Sequence, residues 1–392
     1  MFAQRTNWPL TPNRLSAAVA ERRSQGRPLL DLTESNPTRC GFAPEAQEIL
    51  KALASEEALR YEPDPRGLLA ARHAVVGYYA ERGVALSPDQ IFLTTSTSEA
   101  YSYLFRLLAD ADDQVHTPRP SYPLFDYLAT LNDVRISAYA LRYAQGWQLD
   151  AASLAACLTS RSRAVLVVHP NNPTGSFVHR PELDVLVECC RAHGLALLAD
   201  EVFADYALAP DAQRVATHAG VSEVLTFTLS GLSKISALPQ MKLAWIVASG
   251  PPEVLASAVK RLEIIADTYL SVSIPMAAAL PRLLELRGSL QPQILARLRQ
   301  NLGQLDAILG PRSPITRLLV EGGWYAVLQI PSIRSDEAWC VELVQGEGVL
   351  VHPGHFYDFP TDGYLVLSLL PPSDIFAEGV TRLARYIETQ VS

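Results

Sequence analysis

The residues best suited to chemistry concentrate in the stretch from Thr226 to Ile246, TFTLSGLSKISALPQMKLAWI. Lys234 stands there where a β-branched strand meets a Ser/Gly turn, with apolar sequence on both sides. Such a lysine is poorly placed to solubilise a surface. Burial lowers an amine's pKa, which is what a lysine needs in order to condense with a carbonyl. Ser230 and Ser233 add hydroxyl donors, and Lys242 adds a point charge suited to a phosphate. A snorkelling surface lysine is the structural alternative.

Four other segments carry polar groups where a strand gives way to a turn or helix. Thr94-Thr95-Ser96-Thr97-Ser98-Glu99 closes a strand and opens a helix. Ser96 with Glu99 fits a capping box, and the same N-terminus, rich in free N–H groups and hydroxyls, suits a phosphate. In HPNNPTG (169–175), Asn172 offers an amide at a Pro/Gly turn. In LLADEVFADY (197–206), Asp200 ends an apolar run, so its carboxylate needs a partner or a shifted pKa. A protonated pyridine nitrogen and a neighbouring lysine or arginine are both candidate partners. In PRPSYP (118–123), Tyr122 is either a stacking platform for a flat cofactor or a packed loop tyrosine.

The elements that must position these groups follow from the apolar pattern. From residue 91 strand-like runs (91–95, 114–117, 134–141, 163–169, 195–199, 224–229, 243–248) alternate with helical ones. Continuous apolar strands separated by helices mean a mostly parallel sheet covered on both faces. Ligands of such sheets sit beyond the carboxyl ends of the strands, where this chain keeps its unusual polar residues. Beyond Pro251 a long helical region with one interruption near 273–275 runs to about 309, followed by shorter strands (316–320, 324–330, 364–370) and helices at 336–347 and 373–389. The expected units are a large domain, 46–274, and a smaller α+β domain formed by 1–45 and 275–392.

Composition narrows the class. Hydrophobic content of 48% and charged content of 19% fit an ordinary globular protein, and a formal net charge of -8 argues against nucleic-acid binding. No apolar run is long enough to cross a bilayer, and the N-terminus lacks an apolar signal core. Five cysteines (40, 157, 189, 190, 340) without a CxxC pair read as buried free thiols in a reducing cytosol, with no metal site. The chain is expected to be cytoplasmic, with neither nucleic acid nor membrane as a partner.

Four motifs, Tyr61…Gly67, Asn-Asn-Pro-Thr-Gly (171–175), Ala-Asp-Glu (199–201) and Ser-Gly-Leu-Ser-Lys (230–234), together resemble the fold-type I pyridoxal-phosphate enzymes in order and spacing. The resemblance is specifically to class I/II aminotransferases related to aspartate aminotransferase, and it covers nearly the whole chain. It implies an α/β fold with a mostly parallel seven-stranded sheet between helices, and a homodimer with shared active sites. It also implies ping-pong transfer of an amino group from an amino-acid donor to a 2-oxo acid, with pyridoxal 5'-phosphate as cofactor. By resemblance, Lys234 would carry the cofactor and move the proton, Asp200 would hold the pyridine nitrogen protonated, Asn172 would donate to the ring's 3-oxygen, and Tyr122 would stack on the ring. Ser96, Thr97, Ser230, Ser233 and Lys242 would surround the phosphate. Tyr61 would reach the phosphate of the neighbouring subunit, and Asn36 would lie near the substrate.

Three departures stand out. Phe203 replaces a tyrosine that commonly donates to the 3-oxygen, and Lys242 replaces a phosphate-binding arginine. Val366 stands where the family usually has the arginine that grips the substrate's α-carboxylate. Either the substrate has no carboxylate at that position or another cation substitutes; Arg39, Arg119, His352 and His355 are the candidates, with His355 the favoured one. The missing arginine also keeps open a lyase, cyclase or decarboxylase with the same cofactor.

Overall fold

In this computed structural model, which describes residues 1–391, the chain opens with α1 (Arg14–Ser24), β1 (Leu30–Asp31), α2 (Ala46–Leu53) and α3 (Leu69–Ala80). The alternation expected from residue 91 follows. Its first half is β2 (Ile91–Thr94), α4 (Thr97–Leu108), β3 (Gln114–Arg119), α5 (Leu124–Leu131), β4 (Arg135–Tyr143), β5 (Trp147–Leu149) and α6 (Ala151–Cys157). Its second half is β6 (Ser162–Val168), α7 (Arg180–His193), β7 (Ala196–Asp200), β8 (Thr226–Gly231), α8 (Leu232–Ile235) and β9 (Ala244–Ser249).

These strands form one sheet of eight, in the order β2-β9-β8-β7-β6-β3-β4-β5. The run β8-β7-β6-β3-β4 is parallel, while β9 and β5 pair antiparallel with their neighbours. The sheet therefore has one strand more than the seven expected. The extra strand is β5, three residues that hairpin back on β4 and bury Trp147 against Leu318 and Val327 of the second lobe. A segment so short, whose burial comes from distant sequence, has no periodicity of its own to read. Elsewhere the apolar pattern works as expected: β7 and β8 are buried throughout, because apolar layers cover both faces.

Past the sheet run α9 (Pro252–Thr268), α10 (Ile274–Glu285) and α11 (Arg287–Leu309), so the long helical region breaks twice, near 273 and again at Leu286. The second lobe contains β10 (Thr316–Arg317), β11 (Tyr325–Gln329), α12 (Asp336–Glu342), β12 (Val349–Leu350), β13 (His352–Pro353), β14 (Tyr364–Ser368) and α13 (Ser373–Val391). Its sheet runs β10-β11-β14-β13, and β1 pairs parallel with β12, tying the N-terminal segment to this lobe. By packing, Ala277, Leu280 and Leu283 of α10 share a core with Ile91 and Trp245 of the main sheet, whereas Ile294, Leu298 and Leu305 of α11 join the second core. The helical region thus changes from one core to the other near Leu286.

Candidate active site

A cavity of about 360 Å³ opens beyond the carboxyl ends of β6 and β7. From the main sheet it takes Val168, Asn172 and Asp200, from the start of α4 Thr97 and Ser98, from the turn after β8 Ser233 and Lys234, and from the loop before α5 Tyr122. The second lobe closes it with Tyr325, His352, Phe356 and Tyr357, and Ser35 comes from the N-terminal segment.

Lys234 follows a close approach of two strands that only glycine allows. A Cβ on Gly231 would lie 2.7 Å from the Ala244 Cβ, so glycine lets the end of β8 close on β9 just before α8 begins. The lysine amine then sits 4.9 Å from the centre of the Trp324 ring and 5.5 Å from that of Phe203. It makes no hydrogen bond or ion pair among the described residues. Burial pushes its pKa down to about 8, against the pull of the Asp200 charge. An amine that loses its proton this readily is a competent nucleophile and base near neutral pH.

Asp200 ends β7, buried but lining the cavity. Its Oδ2 accepts from the Tyr101 hydroxyl at 2.7 Å and its Oδ1 from the Val202 amide at 3.1 Å. Burial nevertheless pushes the carboxyl up to about 6, with those hydrogen bonds and the Lys234 charge opposing. Burial and the Asp200 charge together hold the Tyr101 phenol well above its ordinary range, so it remains a neutral donor. Below Asp200 lies a second buried carboxylate. Glu201 accepts from the Thr217 hydroxyl at 2.6 Å and from the His218 amide at 2.6 Å and Nδ1 at 2.9 Å. Burial raises its pKa, but these bonds and the His218 charge outweigh that and hold it low.

At α4, Ser96 caps the helix by accepting from the Glu99 amide, and Glu99 reaches back to the Thr95 amide. The Thr97 and Ser98 amides precede the first intrahelical bond, from Ala100 N–H to the Ser96 carbonyl, and so remain available at the cavity.

Of the residues singled out in the sequence, Lys234, Asp200, Asn172, Tyr122, Thr97 and Ser233 line this one cavity. Ser96 acts as the helix cap behind it. Ser230 is fully buried in β8 with its hydroxyl donating to the Glu201 carbonyl, and Lys242 is exposed in a left-handed turn; neither lines the cavity. Tyr61 is 74% exposed and lies outside this chain's cavity. Asn36 spends its side-chain oxygen capping the turn at Thr38. His355 is exposed and absent from the lining, whereas His352, three residues earlier, is part of it. Tyr101, Ser98, Ser35, Tyr325 and Tyr357 were not foreseen. Tyr101 alone had a signal, one helical turn past Thr97 on the face that points at the strand ends.

The lining fits the cofactor that the resemblance implies. The buried Asn172 Oδ1 has no partner within the protein, the Lys234 amine is unpaired, and Asp200 faces the cavity without a bonded cation. Groups left in this state point to a ligand that is both a hydrogen-bonding partner and a carbonyl.

Comparison with known proteins gives the same direction. The family model for aminotransferase class I and II matches residues 27–374. The alanine aminotransferase of Mycobacterium tuberculosis is 29% identical over 380 residues, covering 94% of this chain and 88% of the relative. The glutamate-pyruvate aminotransferase AlaA of Escherichia coli is 24% identical over 370 residues, covering 93% and 91%. In structure, an alanine aminotransferase from Pyrococcus furiosus superposes with a TM-score of 0.89 at 21% identity, covering 99% of this chain and 100% of that one. These relatives are named for amino transfer, which favours that activity over a lyase, cyclase or decarboxylase. Pyridoxal phosphate is the family's cofactor. The chain is a transaminase and belongs to the class I and II aminotransferases.

Proposed function

We propose that this chain binds pyridoxal 5'-phosphate at Lys234 and moves an amino group between an amino-acid donor and a 2-oxo acid by a ping-pong route. The observation that carries the reading is the Lys234 amine, buried without an ion pair and depressed to about 8, in the same cavity as the buried Asp200. When bound, pyridoxal phosphate supplies an electron sink for the pair of electrons left at the donor's α-carbon. The Lys234 Nζ is the nucleophile toward the cofactor's aldehyde. The same nitrogen would take the proton from the donor's α-carbon and give it back, acting as base and then acid. The Asp200 carboxylate would hold the cofactor's ring nitrogen protonated, and Tyr101 orients that carboxylate. The Asn172 amide would donate to the ring's 3-oxygen, and Tyr122 would stack on the ring.

For the phosphate, the reading assigns the Thr97 and Ser98 amides and hydroxyls with Ser233, on the helix end that Ser96 caps. Ser230 and Lys242 belong to the same group by resemblance, as does Tyr61 from a second subunit. The exposure of Tyr61, outside the lining of its own cavity, supports a homodimer with shared sites. Asn36 and His355 remain assigned to the substrate side by resemblance alone. A large cofactor-binding domain over 46–274 and a small domain from the remainder complete the reading. Five unpaired cysteines support a reducing, cytoplasmic setting.

The test is spectral. Wild-type holoprotein should show a yellow band that L-glutamate or L-alanine converts to the pyridoxamine form, and a 2-oxo acid should restore it. Lys234→Ala should still bind cofactor but lose turnover. Undiminished turnover in that variant would remove the assignment.

A further inference from the structure

No arginine and no second lysine lines the cavity among the described residues. Val366 is fully buried in a cluster with Trp147, Val327, Tyr357 and Phe359, so a long cation at that position has no room. Its neighbours do reach the cavity. Val327, Val366 and His352 form one row across β11, β14 and β13, and Tyr325 lies two residues along β11 on the same face. His352 and Tyr325 both line the cavity. The His352 Nδ1 is 3.1 Å from the Tyr357 hydroxyl, and its Nε2 has no protein partner among the described residues. The Tyr325 hydroxyl interacts with the side chain of Ser35, a third lining residue. Burial lowers the His352 pKa, with the Asp31 charge opposing, which favours the neutral ring. With the Tyr357 hydroxyl donating to Nδ1, we assign the ring's single proton to Nε2, on the free edge.

We propose that His352, Tyr325 and Ser35 form the carboxylate subsite for the amino-acid donor, gripping it with neutral hydrogen-bond donors in place of a guanidinium. The proposal rests on the aminotransferase reading above and names its substrate end. A carboxylate accepts from the His352 N–H and from the hydroxyl proton that the Tyr325–Ser35 pair leaves free. An amine without one leaves buried donors unpaired, which penalises it as a substrate. Neutral donors also avoid the desolvation of a buried guanidinium, while giving up its bidentate fork.

The experiment compares L-alanine with ethylamine, the same donor without its carboxylate, in the first half-reaction of the holoenzyme. Wild type should favour alanine. In His352→Ala and in the milder Tyr325→Phe, KM for alanine should rise about tenfold or more with kcat less affected. The ratio of kcat/KM for alanine over ethylamine should fall by a similar factor, and His352→Gln, which keeps an N–H donor, should recover much of it. Independently of turnover, propionate titrated into cofactor-free protein should shift an imidazole resonance that His352→Gln lacks. An unchanged ratio in both variants, equal losses for both donors, or a wild type that prefers ethylamine would overturn the proposal. So would propionate leaving the His352 resonance unmoved. If neither donor converts the cofactor, the aminotransferase reading is what fails, and the propionate titration still decides the subsite.

Discussion

Asp200→Asn removes a charge that the fold buries without a bonded cation. The carboxyl is pushed from its ordinary 3.8 to about 6, chiefly by burial. A raised folded pKa means that the folded state holds the proton more tightly than the unfolded chain. Stability should therefore fall as pH climbs from about 4 to about 6 and stay lower above that window. The lift corresponds to roughly 3 kcal/mol. Asparagine removes that cost but has one acceptor where the carboxylate used two, for Tyr101 and Val202, a loss of about 1 kcal/mol. Cofactor-free Asp200→Asn should thus be more stable than wild type by about 2 kcal/mol at pH 7.5, and slightly less stable at pH 4. Urea unfolding of both proteins at the two pH values measures this. Saturating pyridoxal phosphate should reverse the order at pH 7.5, because the carboxylate then has its proton-bearing partner. A variant less stable than wild type by the same margin at both pH values would refute the argument, since Asp200 would then cost the fold nothing.

Lys234→Met tests the opposite sign. The lysine's folded pKa is depressed to about 8, so cofactor-free Lys234→Met should be the more stable protein at pH 7, with the gap closing as pH rises from about 8 toward 10.5 in thermal melts. Tyr101→Phe strips a donor from Asp200 and should raise that carboxyl's pKa further, read by carboxyl-labelled NMR, while weakening pyridoxal phosphate binding about tenfold. Gly231→Ala drives a Cβ to 2.7 Å from the Ala244 Cβ and should cost roughly 1–3 kcal/mol in denaturant unfolding, with turnover falling as Lys234 moves. Glu201→Gln should destabilise by about 1–3 kcal/mol at pH 7, because a neutral amide cannot serve the three donors from Thr217 and His218. Wild type should lose that difference on acidification, since a depressed carboxylate contributes only above its unfolded pKa.

The half of the site that was legible in the sequence lies where polar residues interrupt apolar runs. Asp200 and Lys234 stand out because β7 and β8 are buried on both faces, so a charge at their carboxyl ends has no ordinary reason to be there. Asn172 and Thr97 follow the same logic at a proline turn and a capped helix. The wall contributed by the second lobe was not legible, and the reason is geometric. β13 is two residues long, too short for any period, and the exposure of its side chains is decided by pairing with β14. The two histidines of HPGHF are chemically alike, and only a tight turn over Gly354–Tyr357 separates them, leaving His355 exposed and His352 on the cavity. Val366 reads in sequence as a missing arginine, but its neighbours fill that room, and the register sets an imidazole beside it. The part of the cavity that we assign to proton transfer is therefore written in local motifs, because the chemistry proposed at Lys234 needs fixed atoms on one rigid sheet. The part that we propose meets the substrate's far end is written in strand register between segments distant in sequence, which is where a change of specificity can occur without disturbing the motifs around Lys234.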